Sequence, residues 1–130
     1  MPFPPSALRV NRFLVATAAI EAAAGLSLVA LPDVAVKLLL GAEISGAAVP
    51  LGRVAGVALL ALGLASWLAR GHAASALTVA NAMLLYNCGV AAVLATAGVS
   101  GMTGLLLWPA VALHAAMAVW SIMMSRRSLG

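Results

Sequence analysis

Ionisable and amide side chains inside long apolar stretches are the residues of this sequence that are best suited to do chemistry. Glu21, Asn81 and His114 each interrupt a different stretch. A carboxyl and an imidazole within a membrane bind and release protons, and such costly residues mark ion or proton pathways in membrane proteins. The same stretches hold three further residues of this kind: Arg53, Tyr86 and Asn87. The sequence therefore predicts a proton- or ligand-binding site drawn from this set.

Three of these residues are predicted to lie at similar depth if each stretch is an α-helix. Glu21 comes eight residues into its stretch, about 12 Å at helical rise. On the same rise Asn81 lies ~10 Å from the start of its stretch and His114 ~15 Å from the end of its own. We therefore expect Glu21, Asn81 and His114 to form one polar layer just inside the midplane. Tyr86 and Asn87 are expected farther out.

The partner of Glu21 stays open at this level, among Arg53, Asn81 and His114. An ionisable carboxyl at membrane depth raises the free energy of membrane insertion by ~2.5–3.5 kcal/mol, and each strongly apolar residue lowers it by about 0.3–0.6 kcal/mol. The first stretch has eight such residues, so the two sums nearly cancel and Glu21 needs a partner. Two interpretations compete: interhelical hydrogen bonds that fix the register, worth ~0.6 kcal/mol each, or a site that binds a proton or ligand.

The composition requires a membrane environment. Apolar residues make up 65% of the 130 positions and charged residues 8%, whereas roughly 25% charged residues is ordinary for a soluble domain. Four apolar stretches of about 20 residues or more can cross the hydrocarbon core as helices: 13–31, 50–69, 73–97 and 102–124. Backbone groups in lipid must be satisfied internally, so helices are the expected form. The sequence predicts an all-α, four-helix membrane bundle that makes one domain of residues 1–130.

The basic residues orient the chain. Five of the seven flank the first stretch, the second connection or the last stretch: Arg9, Arg12, Arg70, Arg126 and Arg127. On the other side two basic residues are offset by two acidic ones: Lys37, Arg53, Asp33 and Glu43. Because basic residues collect on the cytoplasmic side, we predict both termini in the cytoplasm, with the chain in a bacterial inner membrane. The net charge of +4 then reflects orientation rather than a nucleic-acid surface.

The connections predict how the helices follow one another. Residues 70–72 and 98–101 are short glycine-containing turns, so stretches two to four run antiparallel to their neighbours. The longer first connection contains a predicted short helix over 33–40, which Asp33 caps and Gly41 ends. Its apolar face joins four residues: Val34, Ala35, Leu38 and Leu39. A plain loop is the alternative for this connection.

Glycines of the second stretch predict a helix-packing face. Gly52, Gly56 and Gly63 share one side of that helix. Small residues let backbones approach closely, which is how helices associate when lipid removes the hydrophobic incentive. We therefore expect this stripe to contact another helix.

The sequence offers little to a metal or an organic cofactor. Cys88 is the single cysteine, which excludes an intramolecular disulfide and predicts a small buried apolar residue. His72 lies in a turn, too far from His114 to be the opposite axial ligand of a haem, and the Cys/His spacings typical of zinc are absent. Serines and threonines have no base at helical spacing, so nucleophilic catalysis is not indicated. We expect no catalytic residue, metal or cofactor.

Two segments of the C-terminal half resemble short four-span bacterial membrane proteins of unknown function: residues 83–87 (MLLYN) and 106–114 (LLWPAVALH). The resemblance implies a four-span fold and transfers no functional residue. Small multidrug transporters also have four spans and a glutamate in the first. The tryptophan and proline signatures of their later spans are absent here, so that similarity is one of architecture.

Two classes of function follow. An oligomeric carrier or permeation protein for a small solute or proton would use Glu21 and His114 as titrating groups and Arg53 to attract anions. It requires a dimer or larger assembly, because four helices enclose little of a pathway. A non-catalytic accessory subunit would instead bind a larger membrane complex through the Gly52/Gly56 face. A lipid-modifying membrane enzyme is the remaining alternative. Transport is placed first because it explains an ionisable residue at membrane depth.

Overall fold

The chain is all-α, as the sequence predicts. The computed structural model describes residues 5–127, which form five helices: α1 (Pro5–Ala30), α2 (Pro32–Leu40), α3 (Ala48–Ala69), α4 (Ala73–Val99) and α5 (Leu107–Arg127). Four of them, all except α2, are long and apolar enough to cross a membrane. By helix length and hydropathy this is a small multi-pass membrane protein. The cytoplasmic placement of its termini stays a prediction.

Two of the long helices begin at other residues than the predicted apolar stretches do. Helix α1 begins at Pro5, before the predicted stretch at residue 13; Arg9 and Arg12 do not end it, because long basic side chains extend from a helix to the polar interface. Helix α5 begins at Leu107, whereas the predicted stretch begins at residue 102. There the Leu106 N–H donates to Leu38 O (2.8 Å), a bond between segments that replaces the bond of a continued helix.

Helices α1 and α3 form a tight antiparallel pair through glycine contacts. A Cβ on Gly56 would stand 2.7 Å from Gly25 O, and a Cβ on Gly63 would stand 3.1 Å from Ala18 O. Gly52 meets Pro32 at the start of α2 in the same way, at 3.2 Å. Such close backbone approach maximises dispersion contacts in lipid. The glycine stripe of α3 therefore packs within the chain, so it is not a free face for another subunit.

Helices α4 and α5 form the second antiparallel pair. The Ser121 hydroxyl donates to Ala80 O (3.2 Å) near one end. At the other end a Cβ on Gly98 would meet the ring of Trp108 at 2.9 Å and Leu107 at 3.2 Å. These contacts, far apart along the helices, hold the pair along its length.

An apolar cluster joins the two pairs at the end of the bundle where α1 begins and α5 ends, called here the terminal end. Its buried members come from all four long helices: Phe13, Leu14, Ala69, Ala76, Ala80, Met83, Met117 and Met124. The ring of Trp120 packs edge-on against Phe13, with centroids 5.5 Å apart. The Gly71 N–H also donates to the Asn11 amide oxygen (3.0 Å), which ties the α3–α4 turn to α1.

The opposite end, called here the α2 end, is bridged by the predicted short helix. Helix α2 ends at Gly41, which has a positive φ of 73° and donates its N–H to Lys37 O. Asp33 is not the cap, because Pro32 starts the helix one residue earlier. Its carboxylate instead lies in the first turn, where it complements the helix dipole. Helix α2 follows α1 directly and bonds to the segment before α5 through Leu38 O, so it links the two pairs.

The outward faces of the four spans are apolar. In an 18-residue window of each span, between 11% and 33% of the residues are buried, and large side chains such as Leu51, Leu85 and Val99 are 67%, 78% and 83% exposed. Hydrocarbon, not water, suits such a surface. Cys88, predicted to be buried, is exposed on α4 because the inward side of that turn is taken by its neighbour Asn87.

Candidate functional site

Glu21 lies near the middle of α1 and is directed into the space between the two helix pairs. It comes thirteen residues after Leu8 and nine before Ala30, the ends of the first span, and only 3% of it is exposed. On the α3 side Gly63 lies next to it, since a Cβ on Gly63 would make ordinary contact with the Glu21 Cβ at 3.4 Å. The carboxyl extends toward α4, where its hydrogen-bond partner lies.

Tyr86 on α4 supplies the partner. Its hydroxyl donates to Glu21 Oε2 at 3.0 Å. This bond connects the α1/α3 pair to the α4/α5 pair at mid-depth, since Tyr86 comes twelve residues after Ala74, the start of the third span. A hydrogen bond to an ionised acceptor is roughly twice as strong as a neutral one.

His114 on α5 bonds to the next residue of α4. The Asn87 amide donates through Nδ2 to Met83 O (2.7 Å), so its Oδ1 is the acceptor that faces His114. The His114 Nδ1, 2.8 Å from that oxygen, is therefore the donor. This fixes the tautomer of the neutral ring with its hydrogen on Nδ1 and its lone pair on Nε2.

The two hydrogen-bonded pairs meet through their rings. Tyr86 and His114 lie edge to face, with centroids 5.7 Å apart and planes at 79°, the geometry that aromatic quadrupoles favour. The four side chains Glu21, Tyr86, His114 and Asn87 thus form a continuous set across α1, α4 and α5. We call this set the midplane cluster.

Two of the six predicted site residues lie outside the midplane cluster. Arg53 is exposed on the first turns of α3, and the ion pair within residues 5–127 is Lys37–Glu43 instead. Asn81 is exposed on α4, one and a half turns before Tyr86. Tyr86, and not Asn81, is the α4 residue that bonds to Glu21.

The sequence reasoning missed three buried hydroxyls. Ser66 donates to Leu62 O (2.9 Å), and Ser121 donates to Ala80 O. Thr17 is 1% exposed, and its Oγ1 has no hydrogen-bond partner among the described residues. Its position one helical turn before Glu21 was the available signal, since residues four apart share a helix face.

A second polar group lies outside the spans, in a groove of about 340 Å³ on the α2 end that is lined by Asp33, Val34, Lys37, Glu43 and Ile44. Lys37 Nζ donates to Glu43 Oε1 at 2.9 Å. This hydrogen bond lowers the pKa of Glu43 and raises that of Lys37. Both side chains are well exposed, so solvent screens their attraction.

The comparisons with known proteins give no family for this chain. No protein-family model, no curated protein and no solved structure matches it. The candidate function therefore depends on the physical properties of the midplane cluster.

Proposed function

We propose that this chain is a proton-coupled carrier of a small solute and that Glu21 is its proton-binding group. One observation carries the proposal: the Tyr86–Glu21 hydrogen bond of 3.0 Å joins the two helix pairs at mid-depth, at the edge of the apolar cluster. Carrier sites lie near the bilayer midplane between moving halves. An intramembrane carboxyl with a hydroxyl donor in that position is the group that such a site needs.

Protonation of Glu21 changes the contact between the pairs. The ionised carboxylate is an acceptor, and it holds the Tyr86 hydroxyl in a charge-assisted bond. A protonated carboxyl is neutral, its cost of burial falls, and its bond to Tyr86 is weaker. Proton binding therefore loosens the link between α1 and α4, while the glycine contacts within each pair are unaffected.

The His114–Asn87 bond holds the other side of Tyr86. Asn87 is only 2% exposed, and its amide is fixed by Met83 O, so His114 is oriented by a rigid partner. When the Tyr86 hydroxyl leaves Glu21, its ring remains against His114. His114 is thus a positioning residue for Tyr86 in this mechanism, and its free Nε2 is the group available to a solute.

The moving bodies are the two helix pairs. Each pair is internally close-packed, whereas the pairs meet through the terminal-end cluster, the midplane cluster and α2. Packed cores move as rigid bodies between discrete arrangements. Because so few residues in each span are buried, one chain encloses too little of a pathway, so we propose that the carrier is a homo-oligomer.

The test follows the Glu21 carboxyl directly. Infrared difference spectra of the purified protein, taken from about pH 5 to pH 9, should contain a protonated-carboxyl band that titrates. Glu21→Gln should remove this band, and the matched control Glu43→Gln, which removes a solvent-exposed carboxyl outside the spans, should retain it. A Glu21 carboxyl that stays in one protonation state over this range contradicts the proposal.

A further inference from the structure

Thr17 is a buried polar residue that the proposed proton-binding site does not use. Its hydroxyl has no hydrogen-bond partner among residues 5–127, although it is 1% exposed. The comparable hydroxyls of Ser66 and Ser121 each donate to a backbone carbonyl. An unsatisfied buried hydroxyl costs about 1–3 kcal/mol. A ligand that binds this oxygen would remove that cost.

Thr17 and Glu21 share one face of α1. Residues four apart on a helix have Cβ atoms about 5–6 Å from each other. Helical side chains generally lean toward the N-terminus of their helix, which is the direction of Thr17 from Glu21. The Tyr86 hydroxyl reaches the same carboxyl from α4. The Thr17 hydroxyl and the Glu21–Tyr86 bond thus belong to adjacent turns of one buried face of α1.

We infer that Thr17 Oγ1, the Glu21 carboxylate and the Tyr86 hydroxyl form a binding site for Na⁺. The inference rests on the proposed function, because it assigns a second coupling ion to the same carboxylate. Hard cations prefer carboxylate, hydroxyl and carbonyl oxygens, and sodium sites of carriers lie at the midplane. A cation neutralises the carboxylate as a proton does, but it also uses the lone pairs of Thr17, which a proton on Glu21 leaves unused.

Na⁺ and the proton compete in this site. Na⁺ binds the ionised carboxylate, so a protonated Glu21 must release its proton into solution before the cation enters. The titratable groups near Glu21 are Tyr86 on α4 and, behind it, His114 on α5; α3 presents Gly63 there. Once Glu21 is mostly protonated, each further unit of acidification should raise the apparent Kd for Na⁺ about tenfold.

The experiment is thermal unfolding of the full chain in detergent, in NaCl, KCl or choline chloride of equal ionic strength. A cation that binds the folded state raises the Tm in proportion to the logarithm of its concentration. We expect Na⁺ to raise the Tm above the value in choline chloride. Thr17→Val, which keeps the branched shape and removes the hydroxyl, should lose this increment, and Thr17→Ser should keep it. Glu21→Gln should lose it as well.

Each outcome bears on the inference. Equal Tm values in the three salts would show an ionic-strength effect and overturn it, as would a full Na⁺ increment in Thr17→Val. If Thr17→Val does not fold, Tyr86→Phe removes another ligand, and an unchanged increment there also overturns it. A titrating Glu21 band without any Na⁺ response leaves proton coupling in place and removes only the sodium site. A Na⁺ response without a titrating band supports the sodium site and contradicts proton coupling.

Discussion

The carbonyl oxygen of Gly25 lies where a side chain on Gly56 would begin: a Cβ on Gly56 would stand 2.7 Å from it, and the reciprocal distance from Gly25 to Gly56 O is also 2.7 Å. No rotamer change relieves a clash with backbone. The spacing of α1 and α3 therefore depends on both positions remaining glycine.

Gly56→Leu should separate α1 from α3 and destabilise the protein by at least the ~1–3 kcal/mol typical of overpacking. The matched control is Gly89→Leu, because a Cβ on Gly89 meets nothing within 4 Å and the residue is exposed on α4. Thermal unfolding in detergent measures both. Equal Tm values for the two variants would mean that the α1–α3 contact is not close-packed.

Tyr86→Phe should cost about 1–3 kcal/mol at neutral pH, because a buried carboxylate loses its hydroxyl donor. The loss should be smaller in Glu21→Gln, where there is no charge to stabilise. Unfolding of the two single variants and the double variant gives their coupling free energy. A coupling near zero would place Tyr86 and Glu21 apart in the folded protein.

The Lys37–Glu43 pair predicts a pH effect confined to the α2 end. The pKa of Glu43 is lowered by its hydrogen bond to Lys37, so its contribution to stability is present above the unfolded pKa and is lost as the pH falls through the folded one. Lys37→Met should raise the Glu43 pKa, as followed by NMR of its carboxyl carbon. High salt should reduce the difference. A Glu43 pKa that is equal in both proteins rules out the pair in solution.

Reporter fusions test the orientation. Fusions after Arg70 and at Gly130, the latter outside the described residues, should be active on the cytoplasmic side, and one inside residues 33–46 on the periplasmic side. The physical reason is the excess of basic residues on the terminal side. A cytoplasmic signal from the 33–46 insertion would reverse the orientation of the whole bundle.

Hydropathy and turn residues predicted those features of the fold that depend on a single segment of the chain. The four long helices follow from apolar length, and the end of α2 follows from Gly41, whose positive φ suits glycine. The start of α5 could not be read in this way, because it depends on the bond from Leu106 to Leu38 in another part of the chain.

The members of the midplane cluster could be listed from the sequence, but their pairing could not. The partner of Glu21 depends on the register of α1 against the other helices. That register is set by contacts such as Gly63 against Ala18, which lie outside the cluster. Thr17 was missed because a threonine in an apolar stretch ordinarily bonds to its own helix backbone.

The bond between Tyr86 and Glu21 spans 65 residues of sequence, and this separation has a consequence for biogenesis. The ribosome completes α1, α2 and α3 before it has made Tyr86, so the first helix pair can enter the bilayer while the carboxyl still lacks its donor. During that interval the protonated form of Glu21 has a lower free energy in hydrocarbon than the ionised form. Synthesis of α4 then supplies the hydroxyl, which can stabilise an ionised Glu21 only after the second hairpin has docked.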